Sequence, residues 1–80
     1  MAKNNEYHWT LEVYCEGAET VEDIESRYNT RPMEGTPHAV QVVTVSTPER
    51  CRRLIAEIEA TPGVNDVMCD TDLELALTWN

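Results

Sequence analysis

The sequence predicts an α+β domain, a two-layer sandwich whose four-stranded sheet carries two helices on one face in the order β-α-β-α-β-β. Three observations point there. Residues 6–16 alternate apolar and polar side chains with a period of two, Cys51, Leu54, Ile55 and Ile58 recur at helical spacing, and turn residues separate the periodic runs. A sheet buried on one side needs a second layer, and two amphipathic helices supply it.

In the first strand Trp9, Leu11, Val13 and Cys15 share one face, and His8, Thr10, Glu12, Tyr14 and Glu16 share the other. Gly17 ends it. Thr20 is positioned to cap a helix over about residues 21–28, where Val21, Ile24 and Tyr28 follow at helical spacing. Residues 29–37 contain Pro32, Gly35 and Pro37 and read as a loop. His38–Ser46 has valines at 40, 42, 43 and 45, on both faces, which predicts an interior strand.

The second helix has the strongest signature. Thr47 is a natural N-cap, Pro48 suits the first helical position, and Glu49 complements the positive helix end. Arg53 and Glu57 stand at i,i+4 opposite the apolar stripe, and Thr61-Pro62-Gly63 terminates the helix. Val64–Cys69 reads as a third strand and Asp70-Thr71-Asp72 as a turn. Leu73, Leu75, Leu77 and Trp79 then alternate with polar or small residues, which predicts a fourth strand. Trp9 and Trp79 both continue apolar stripes and are expected in packing positions.

Eighty residues with 41% hydrophobic content describe a single small domain over residues 1–80. Fifteen acids against six bases give a net charge of -9. Direct nucleic-acid binding is not expected from such a chain, because neutralising phosphates needs a surplus of Lys and Arg. No apolar run approaches the roughly 18 residues of a membrane helix, and no signal-peptide pattern opens the sequence. The expectation is a soluble protein of the cytoplasm. Cys15, Cys51 and Cys69 are too few and too scattered for a disulfide framework, and His8 and His38 lie too far apart for a standard zinc spacing.

Chemistry is thinly represented. The chain lacks G-x-S-x-G, a glycine-rich phosphate loop and H-E-x-x-H. Asp70-Thr71-Asp72 with Glu74 lacks the glycine and the spacing of a calcium loop. Cys15 falls on the buried face of its strand, which suits a core thiol better than a nucleophile. The expectation is a protein with no catalytic residues, metal or cofactor.

Charge is distributed unevenly. Residues 1–34 hold eight acids and three bases, residues 35–53 one acid and three bases, and residues 54–80 six acids and no base. Between residues 12 and 25, Glu12, Glu16, Glu19, Glu22, Asp23 and Glu25 occur without an intervening cation, with Tyr14 among them as a contact residue. Asp66, Asp70, Asp72 and Glu74 form a second group. Like charges so close repel one another, and the plain reading is a solvated face that keeps a small protein in solution. The sharper reading is an anionic surface aimed at a basic groove. Arg50, Arg52 and Arg53 make a separate basic group, which could pair with Glu49 and Glu57.

Two resemblances follow from these residues. The Val-rich strand, the capped helix and Thr61-Pro62-Gly63-Val64-Asn65-Asp66-Val67 make residues 43–67 similar to half of a ferredoxin-like domain of the ACT type. That resemblance implies a small regulatory domain that binds a metabolite and dimerises; the reading of one strand between the helices, where that fold has two, departs from it. In size, acidity and lack of catalytic motifs the whole chain resembles phage-encoded inhibitors of the anti-CRISPR type. The class implies a non-enzymatic protein, in the host cytoplasm, that mimics DNA and blocks a basic nucleic-acid-binding site on a CRISPR surveillance complex or another host nuclease. Monomer and dimer both remain open at this point.

Overall fold

Alternation along the first run becomes strand β1, Tyr7–Cys15, in which Trp9, Leu11, Val13 and Cys15 are buried in turn. The computed structural model describes residues 6–70. Helix α1, Ala18–Arg27, follows, and then the three-residue strand β2, Thr30–Pro32. Strand β3, Ala39–Ser46, helix α2, Pro48–Glu59, and strand β4, Val64–Cys69, complete the described chain.

The four strands form one antiparallel sheet in the order β2-β3-β1-β4. This is the α+β class expected, but the order of elements is β-α-β-β-α-β, the arrangement of ferredoxin-like folds. The correction lies in residues 29–37, read as loop. Thr30, Arg31 and Pro32 pair with Val42, Gln41 and Val40, so a second strand does stand between the helices. Three residues are too few for an alternation to show, and Pro32 is tolerated because β2 is an edge. The strand expected at Leu73–Trp79 lies outside the described residues.

Both helices cover the same side of the sheet. Ile24 of α1 and Cys51 and Ile58 of α2 join Trp9, Leu11, Val13, Cys15, Val40 and Val42 in one core, with Val21, Tyr28, Leu54, Ile55, Val64, Val67 and Cys69 packed around it. Trp9 is 1% exposed, and its indole N–H donates to the Ser46 carbonyl at 2.8 Å, which satisfies the polar end of a buried ring. Thr47 caps α2 as expected: its Oγ1 accepts from Arg50 N at 3.2 Å. In α1 the expectation shifts. Gly17 is the N-cap and the helix begins at Ala18, so Thr20 lies in the first turn and does not cap.

The interior position of β3 is observed, although only one of its faces is covered. Val40 and Val42 are buried, whereas Val43 is half-buried and Val45 is 51% exposed. The far side of the sheet is open. Between Tyr14 and Cys15 the β1–β4 register shifts, leaving Asn65 as an extra residue on β4. Backbone bonds from Cys15 N to His38 O and from Glu16 N to Gly63 O, both 2.8 Å, then tie the end of β1 to the starts of both neighbouring strands.

Candidate functional site

Side-chain direction sorts the expected site residues onto two surfaces. On β1 the odd-numbered residues point at the helices, so Glu12 and Tyr14 face the open side of the sheet. Register places Arg31, Gln41, Glu12 and Met68 in one row across the four strands, and Ala39, Tyr14 and Asp66 in the next. The Tyr14 hydroxyl donates to Glu12 Oε1 at 2.8 Å. That bond first, then partial burial and the charges of Glu12 and Asp66, holds the Tyr14 phenol above its ordinary 10.0. Asp66 Oδ1 accepts from Val67 N at 2.9 Å, and Asp70 meets Thr10 through its backbone N–H, which donates to the Thr10 carbonyl at 3.2 Å.

The sheet face is therefore divided. Its β1–β4 half carries Glu12, Tyr14, Asp66 and Asp70 beside Met68, which is 52% exposed. Its β2–β3 half holds Arg31, Val43 and Val45. An open depression of about 660 Å³ lies there, lined by His8, Thr10, Asn29, Arg31, Val43 and Val45, among others. The apolar part of this face and the depression were not read from the sequence. The signal was present in Val43 and Val45, whose parity opposes that of Val40 and Val42.

The remaining acids occupy the other layer. Glu16, Glu19, Glu22 and Glu25 are all exposed and fall at intervals of three, the last three on α1 with Glu16 just ahead of its N-cap. A rise of about 1.5 Å per residue puts Glu19, Glu22 and Glu25 about 4.5 Å apart along the helix axis. Asp23 is set apart from this row: its Oδ1 lies 3.3 Å from Arg27 Nε in an i,i+4 pair. Glu19 in the first turn suits the helix dipole, but Glu25 near the C-terminus opposes it. The carboxylates expected as a first patch are thus not one surface. Glu12 and Tyr14 join Asp66 and Asp70 from the second group, on the far side of the sheet from α1. Asp72 and Glu74 lie outside the described residues.

Arg50, Arg52 and Arg53 sit on the solvent side of α2. Arg50 is 3.8 Å from Glu6, while Glu57 accepts from the Tyr28 hydroxyl at 2.5 Å. Two of the three thiols meet inside the core. Cys51 is fully buried, and burial, aided by the neighbouring Cys69 thiol and by Asp70, pushes its pKa from 9.0 up to about 12. Burial also raises the Cys15 thiol. Both are poor nucleophiles at neutral pH.

The Cys51 shift has a sign that can be checked. Its folded pKa is raised, so the stability it contributes is full below about pH 9 and is lost as the pH climbs towards 12. Urea midpoints measured from pH 8 to 11 are expected to fall, and Cys51→Ala is expected to flatten part of that fall. An unchanged slope in the variant would mean that other groups govern it.

Among the described residues no group of three His, Cys, Asp or Glu side chains is placed to hold a metal ion, and no helix is long and apolar enough to cross a membrane. Comparisons with family models, curated proteins and solved structures return no match.

Proposed function

We propose that the protein is a non-enzymatic binding module whose exposed glutamate row on α1 occupies a basic, nucleic-acid-binding groove on a partner protein. The partner class is a nuclease or nucleic-acid surveillance complex, and binding there would deny the groove to DNA. One observation carries the reading: Glu19, Glu22 and Glu25, with Glu16 ahead of them, form an exposed row of carboxylates. Its axial spacing of about 4.5 Å is close to the roughly 3.4 Å per phosphate along one strand of a duplex. A partner evolved to grip phosphates with Lys and Arg meets a comparable line of charge, on a rigid rod that loses little entropy on docking.

Such a row opposes the stability of its own helix. Glu25→Lys removes one like-charge neighbour and reverses an unfavourable dipole contact, so it is expected to stabilise the protein by about 0.5–1 kcal/mol. The same change is expected to weaken partner binding. A denaturation midpoint and a capture assay read the two effects on one variant. Should Glu25→Lys bind as well as the wild type, the row is only a solvated face.

The proposal itself is tested by immobilising the wild type and a Glu19→Gln/Glu22→Gln/Glu25→Gln variant and exposing both to cell lysate at low and high salt. A basic nucleic-acid-binding protein retained by the wild type at low salt, released at high salt and lost with the variant supports it. Equal retention by both chains contradicts it.

A second reading is favoured by the completed β-α-β-β-α-β order, which the sequence had supplied only in half. In it the chain is a small regulatory domain, and the depression beside Arg31 receives an anionic metabolite. Sedimentation showing a dimer, with a thermal shift on adding amino acids or nucleotides, would favour this reading over the first.

A further inference from the structure

The contact between Cys51 and Cys69 serves neither the acidic row nor the sheet face. Cys69 lies on the core side of β4, opposite Leu11 of β1, and is half-buried. Cys51 projects from the first half of α2 into the same cluster and is 0% exposed. The two thiols are in hydrogen-bonding contact across the α2–β4 interface, and all three cysteines of the chain are thiols. The Cys69 S–H also reaches Asp70 Oδ1, at 3.8 Å, on the solvent side.

Cys15 is excluded from this pair by the register. It stands four residues along β1 from Leu11, the partner of Cys69, a separation of about 13 Å at strand rise. A disulfide needs α-carbons within about 7 Å. Two thiols in contact, one reachable by solvent and one sealed behind it, are arranged for ordered oxidation.

We propose that Cys51 and Cys69 form an oxidisable pair, in which a small peroxide reacts at Cys69 and Cys51 then closes a disulfide between α2 and β4. In the first step the Cys69 sulfur attacks one peroxide oxygen and the O–O bond breaks. Sulfur is oxidised to the sulfenic acid, and the other oxygen leaves as water with the thiol proton. In the second step the Cys51 sulfur attacks the Cys69 sulfur. The S–O bond breaks, and the departing hydroxide takes the Cys51 proton and leaves as a second water. The sum oxidises two thiols to one disulfide and reduces one peroxide to two waters. Because Cys51 is sealed in the core, the second step waits on the first.

The full chain treated with hydrogen peroxide under native conditions, then alkylated in denaturant and mapped by mass spectrometry, tests this. The expected product has lost two hydrogens, links the peptides of residues 51 and 69, and leaves Cys15 as its one alkylated cysteine. Cys51→Ala is expected to accumulate a sulfenic acid at Cys69, trapped by dimedone, whereas Cys69→Ala is expected to leave Cys51 reduced. Disulfides that join two chains through Cys69, or a Cys51 that stays alkylatable while Cys69 proceeds to the sulfinic acid, overturn the proposal. So does a mixture of pairs in the native chain equal to that of the urea-unfolded chain oxidised in parallel.

Discussion

Trp9→Ala is expected to leave the domain at or beyond the edge of unfolding at 25 °C. Trp9 is 1% exposed on a central strand, and truncating a buried aromatic costs about 3–5 kcal/mol. A chain of this length has roughly 4–12 kcal/mol in total. Two further losses accompany the ring. The Ser46 carbonyl loses the indole N–H that meets it at 2.8 Å, and Tyr7 loses its edge-to-face neighbour at 6.1 Å. Trp9→Phe separates the effects, since it keeps an aromatic filler but removes the donor, and it is expected to cost about 1–3 kcal/mol. Urea denaturation followed by far-ultraviolet circular dichroism reads both variants. If Trp9→Ala stayed within 1 kcal/mol of the wild type, the described core would be wrong.

Gly63→Ala is expected to be nearly as damaging for a residue that gains one carbon. Gly63 joins α2 to β4 with φ +92, a conformation that L side chains rarely adopt. A Cβ there would stand 2.1 Å from Thr20 Oγ1, with Thr20 Cβ and Cγ2 at 3.1 and 3.2 Å. Its carbonyl also accepts from Glu16 N, so any shift that relieved the clash would strain the tie between β1 and β4. Backbone strain and overpacking together suggest about 2–5 kcal/mol. Thr20→Ala in the same chain removes the nearest atoms and is expected to recover the steric share, leaving about 1–2 kcal/mol of backbone strain. Additive effects of the two substitutions, read from denaturant midpoints, would show that Thr20 and Gly63 do not touch.

Most of the fold was legible because its signals are local and redundant. Trp9, Leu11, Val13 and Cys15 specify a strand by parity alone, and Thr47, Pro48 and the Cys51–Ile58 stripe specify a helix by cap, first turn and periodicity together. Strand β2 carried no such signal. Its three residues include a proline, and their pairing is imposed by β3 from across the turn. The start of α1 was misplaced by three residues because Thr20 is a good cap and Gly17 is nearly as good. Only packing chooses between them.

The acidic site was half legible for the same reason. The interval of three that links Glu16, Glu19, Glu22 and Glu25 is written in the sequence. Membership of Glu12 in that group is contradicted by strand parity, because its neighbours Leu11 and Val13 point at the helices and Glu12 must point away. The contact of Cys51 with Cys69 could not be read at all. Seventeen residues separate them along the chain, and no motif marks a pair that only the docking of α2 on β4 creates.

The account stands most directly on whether the glutamate row and a DNA duplex compete for one groove. The measurement is displacement: a labelled duplex is bound to the purified partner, and unlabelled protein is titrated in at fixed low salt. The account predicts complete release of the duplex at one equivalent of wild-type protein per groove, and little release by the Glu19→Gln/Glu22→Gln/Glu25→Gln variant. A ternary complex that holds the protein and the duplex together would contradict it.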